Sequence, residues 1–124
     1  MLDAAILSII EEAGVNVLTM TEGLEETEFL ATRLTRAEVG RQIAVMAGVS
    51  QKLSAETRAT LTELDWDGWD GAGRQLDKGG QAGEEALWFA VRSLVPATLM
   101  WLRLYRKNRP ELFACKPSSQ GQDT

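Results

Sequence analysis

The sequence predicts an all-α fold, an up-and-down bundle of four to five helices. Three observations lead there: apolar residues recur at steps of three and four along three long stretches, polar capping residues stand before two of the helical segments, and strand-like alternation is absent. A chain of 124 residues is the size of one domain and can bury a core without disulfides or metals. The helical domain is expected over residues 1–113, with a disordered polar tail over 114–124 that holds Ser118, Ser119, Gln120 and Gln122 and little apolar content.

From Leu2 to about Met20 the apolar residues Leu2, Ile6, Ile9, Ala13, Val17 and Met20 mark one buried stripe on a first helix. Gly14 allows a neighbour to approach closely, and Gly23 is the expected stop. A short helical turn over Glu26 to Arg33 should point Phe29 and Leu30 inward. Thr35 with Glu38 three residues later is a capping-box pattern, so a second long helix is expected to start there. Its apolar face is Val39, Ile43, Met46, Val49 and Leu53. Ser54 offers a further cap, followed by a shorter helix through Leu61 and Leu64 to Trp66.

Residues 66 to 83 hold six of the eleven glycines. Each costs a helix about 1 kcal/mol relative to alanine, so this stretch is expected to stay non-helical, with Asp67-Gly68 and Asp70-Gly71 as tight turns that fold Trp66 and Trp69 onto the bundle. The last long helix is expected from Glu84 to Lys107, with acids at its start and Arg103, Arg106 and Lys107 at its end. Apolar residues cover most of its circumference, so it needs partners on several sides, either within the bundle or in a second subunit. Pro96 should kink it near Arg92.

The net charge of -5 excludes broad nucleic-acid binding by charge alone, although basic residues gather toward the C-terminal end. With no histidine and one cysteine, Cys115, the usual zinc sets and the histidine-dependent nucleophilic dyads and triads cannot be assembled within one chain. No cofactor and no metal is expected. A single cysteine suits a reducing cytoplasm; no signal peptide is expected, because Asp3 precedes the apolar run Ala4 to Ile10 and no positive region or small-residue cleavage site frames it, and no membrane span is expected, because the apolar stretch 86 to 102 is short and carries Arg92 and Pro96. The acids Asp65, Asp67 and Asp70 miss calcium-loop spacing, since counting from Asp65 a tryptophan falls at position 5 and an aspartate at position 6. Gly68, Gly71 and Gly73 lack the Gly-Lys-Ser/Thr ending of a phosphate loop.

In their order, Phe29-Leu30, Thr35 to Val39, Leu53-Ser54, Trp66, Trp88 and Val95-Pro96 resemble the HepT-like proteins, helical toxins of the HEPN superfamily encoded beside minimal nucleotidyltransferase antitoxins; the likeness spans roughly residues 2 to 107. That family carries an arginine and a histidine separated by four to six residues. Arg74 matches the arginine and Gln75 the polar residue after it, but Gly79, Gly80 and Gln81 stand where histidine or tyrosine is expected. The resemblance implies RNA as substrate, with arginine holding the phosphate charge and histidine moving the proton. Losing such an acid/base group removes about 10²- to 10⁴-fold of rate. The expected function is therefore a catalytically impaired HepT-like protein that acts by association: a homodimer through the 84–107 helix, with a nucleotidyltransferase antitoxin as a possible partner. The alternatives are a ribonuclease with a site rearranged around Arg74, Asp77 and Lys78, and an unrelated helical interaction module.

Overall fold

The structure, a computed structural model, describes residues 2–114; the tail expected over 114–124, apart from Ala114, and Cys115 lie outside the described residues. Among the described residues there are six α-helices and no strand. They are α1 (Leu2–Thr21), α2 (Glu26–Ala31), α3 (Arg33–Ser50), α4 (Ala55–Thr60), α5 (Trp66–Lys78) and α6 (Gly80–Asn108), followed by a 3₁₀ turn, Pro110–Phe113. The four long helices close a ring: α1 packs on α3, α3 on α5, α5 on α6, and α6 back on α1. The short helices α2 and α4 are connectors, which accounts for six helices where four or five were expected.

The core fills the centre of that ring, with Leu7, Ile10 and Val17 of α1, Val39, Ile43 and Met46 of α3, Trp69 of α5 and Val95 and Leu102 of α6 all fully buried. The α1 stripe is rotated from the expected one. Ile6, Ile10, Ala13 and Val17 face inward with Leu7, Gly14 and Thr21, whereas Leu2 and Ile9 are exposed. A Cβ at Gly14 would lie 3.0 Å from Leu99 Cδ2 and 3.2 Å from Met46 Cε, so this glycine sets how closely α1 approaches both α6 and α3. Gly23, at φ +79°, ends the first helical segment as expected.

The capping box falls elsewhere than Thr35 and Glu38. It is made by Glu25 and Glu28 at the start of α2, while α3 begins two residues earlier, at Arg33. Glu38 instead binds Arg41 and Gln42 on its own helix, which holds its carboxyl down at about 2. Ser54 does cap α4, accepting from the Thr57 amide at 3.1 Å. The helix it starts stops at Thr60, and Leu61 and Leu64 are buried from the turns that follow. Asp3 ties this corner to α1, accepting from the Ser54 amide at 3.1 Å, the Ser54 hydroxyl at 2.6 Å and the Thr57 hydroxyl. These bonds hold the Asp3 carboxyl below the usual range.

The last helix starts at Gly80, four residues earlier than expected, and its distortion is a π turn, Ala90–Leu94, rather than a simple proline kink. Two features of the sequence account for it. Pro96 has no amide to donate to Arg92. The buried positions Gly83, Leu87, Val91, Val95 and Leu99 recur every four residues, a pattern that drifts by about 40° per step around a regular α-helix. The wider turn takes up more residues and returns that row to the core. By length and composition α1 and α6 could each cross a membrane, but in the ring each lays a face against the other helices. Arg106 pairs with Glu11 of α1 and lies 4.4 Å from the Phe113 ring centroid, docking the C-terminal turn where α6 meets α1.

Candidate functional site

The glycine-rich stretch 66 to 83 is helical on both sides of one break, contrary to the non-helical segment expected. The reason lies in what flanks and fills it. Asp65 caps α5, its carboxylate accepting from the Gly68 amide at 2.8 Å and occupying the space a Cβ at 68 would take. Asp67 adds negative charge to the first turn. Burial of Trp69 then anchors the helix: its ring is 1% exposed, and its Nε1 donates to Thr98 Oγ1 of α6 at 2.9 Å. Trp66, half-buried, donates to the carbonyls of Leu61 at 3.1 Å and Arg58 at 3.2 Å. The two Asp-Gly pairs are therefore part of one helix rather than turns, although the anchoring of both tryptophans is as expected.

The remaining glycines permit close approach or reversal. A Cβ at Gly73 would lie 3.3 Å from Ala47 Cβ of α3, and one at Gly83 would lie 3.4 Å from the Gln75 carbonyl. Gly79 and Gly80, at φ +70° and +64°, make the break that turns α5 into α6. The three acids of this region point to different partners. Asp65 caps the helix, Asp67 is exposed, and Asp70 meets Arg58 at 3.3 Å. Arg58 also donates to the Ser50 carbonyl at 2.9 Å and lies 5.3 Å from the Trp66 ring centroid. Among the described residues no group of three metal-ligating side chains comes together.

Arg74 is exposed near the end of α5, and no hydrogen bond or ion pair joins it to another described residue. Asp77 and Lys78, three and four residues on, share its side of the helix and are equally exposed. Gln75 points elsewhere. It lines an open groove of about 530 Å³ between α5 and α6, with Gly68, Gly71 and Ala72 on one wall and Ala82, Glu85, Ala86 and Phe89 on the other. The structure thus separates the two residues that the family pattern places side by side.

The groove escapes a sequence reading that treats 66 to 83 as a loop. Its signal is present nonetheless: Gly68, Gly71, Ala72 and Gln75 stand at i, i+3, i+4 and i+7, and Ala82, Glu85, Ala86 and Phe89 repeat that spacing. Phe89 on its wall is 51% exposed, and further along α6 Met100 and Leu104 are exposed at 53% and 45%. On that face Ser93 and Ala97 are also open to solvent. Compared with family models, curated proteins and solved structures, the chain matches none.

Proposed function

We propose that the chain is a HepT-like helical protein without effective ribonuclease chemistry, acting in the cytoplasm by association with protein partners: a second copy through α6 and a nucleotidyltransferase antitoxin. The observation that carries this reading is the contrast between two surfaces. Arg74 stands exposed with no imidazole anywhere in the chain to move a proton, whereas the outer face of α6 leaves large apolar side chains open. Purified protein incubated with RNA should give no cleavage above that of the Arg74→Ala variant. Cleavage that disappears in Arg74→Ala would overturn the proposal.

The competing reading is a ribonuclease using Arg74, Asp77 and Lys78, favoured by their common side of α5. It predicts growth arrest on expression, relieved by an antitoxin and abolished by Asp77→Asn. An unrelated helical interaction module shares the association surface but predicts no binding to a nucleotidyltransferase.

A further inference from the structure

We propose that the cleft between the end of α1 and the π turn of α6 binds a free α-amino acid with a small apolar side chain, its ammonium group held on the α1 side and its carboxylate at Arg92. The proposal stands apart from the association reading, since it involves neither Arg74 nor the exposed apolar residues of α6.

The cleft encloses about 360 Å³, room for a molecule of this size, with Thr19, Thr21 and Glu22 on one side and Val91, Arg92 and Pro96 on the other. Its α1 side is built of acceptors. The last carbonyls of a helix lack partners within it and form its negative end; α1 has no basic residue in its last turn, and Glu22 adds a full negative charge just beyond it. Thr21 is buried and its hydroxyl donates to the Val17 carbonyl at 2.8 Å, so that oxygen offers a ligand only lone pairs. The π turn contributes a further acceptor. Pro96 supplies no amide, which in four-residue spacing would go to the Arg92 carbonyl and in five-residue spacing to that of Val91. Both residues line the cleft, and helix carbonyls point toward the C-terminal end, here toward Pro96.

Arg92 is the cation on the opposite wall. Its guanidinium carbon lies 5.5 Å from the Trp88 ring centroid, and among the described residues no carboxylate pairs with it and no cation pairs with Glu22. Two opposite charges that line one cleft without meeting leave a gap with a negative and a positive wall. A ligand carrying both charges satisfies each, whereas a simple amine would meet Arg92 as a like charge and a simple carboxylic acid would meet Glu22. Leu18, Val91 and the Pro96 ring supply apolar surface for a short side chain.

An amide NMR titration of the full chain with L-valine tests the site. Shifts should gather at Thr21, Gly23 and Val91. L-valinamide, which lacks the carboxylate, and isovalerate, which lacks the ammonium group, should each bind about tenfold or more weakly. Glu22→Gln should weaken valine by a similar factor without weakening isovalerate, and Arg92→Gln should do so without weakening valinamide. A damaged fold would instead weaken every ligand. Absence of valine shifts at these amides would overturn the proposal, as would equal binding of either analogue, or variants that weaken all three compounds alike. None of these outcomes bears on RNA cleavage or on dimer formation.

Discussion

The indole of Trp69 and the hydroxyl of Thr98 join two helices through a hydrogen bond that no water reaches, since both residues are buried. Trp69→Phe keeps most of the ring but leaves that hydroxyl without its donor, which costs about 1–3 kcal/mol in a urea titration. Trp69→Phe combined with Thr98→Val should cost less than the two single changes added, because the pair is then removed together. Asp3 gives a pH signature. Its folded pKa is depressed by the Ser54 and Thr57 bonds, so its ionised form contributes stability that is fully present above the ordinary carboxylate range and is lost as pH falls through the depressed value. Asp3→Asn should therefore lower the midpoint by the equivalent of about 1 kcal/mol at neutral pH, and the gap to the native chain should shrink below about pH 4.

At the scale of an element, α5 shows how capping and burial outweigh poor intrinsic propensity. Three glycines, at 68, 71 and 73, sit inside it, yet one carboxylate cap, one buried tryptophan and contacts with two neighbouring helices hold it. Gly71 distinguishes a helix from a loop at this position. A Cβ there meets nothing nearer than Arg74 Nη2 at 3.7 Å, so Gly71→Ala should raise stability by about 0.5–1 kcal/mol, as it does in an open helical site. A loop glycine at positive φ would give the opposite sign. Gly14→Val is the contrasting case: the added atoms press on Leu99 and Met46 across two interfaces, and thermal melting should show a loss of about 1–3 kcal/mol.

At the scale of the whole molecule, each long helix packs on two others and the last returns to the first. Such a ring has no subset of helices that keeps its core when one is removed, so unfolding should be a single cooperative step. Tryptophan fluorescence, reporting on α5 and α6 through Trp66, Trp69, Trp88 and Trp101, should coincide with far-UV circular dichroism, which reports on all helices. The helical class, α1, the α4 cap and the close approach at Gly14 were legible in the sequence because local spacing decides them. The helicity of 66 to 78 was not, because it depends on Thr98 and Ala47 meeting that segment in space. The same misreading concealed the groove beside Gln75. The exposed apolar residues of α6 were half legible: their excess called for packing on several sides, within the bundle or in a second subunit, but which of them stay open depends on the π turn.

That turn also bears on which changes in chain length the fold can absorb. A π turn carries about one residue more than an α-turn spanning the same stretch of axis. Deleting Ser93 would turn Ala90–Leu94 into regular helix and convert the run of four-residue steps into the alternating fours and threes that regular helix prefers. A chain one residue shorter at this point should keep its fold, whereas a one-residue deletion within α1 or α3 would rotate half of a buried face into solvent.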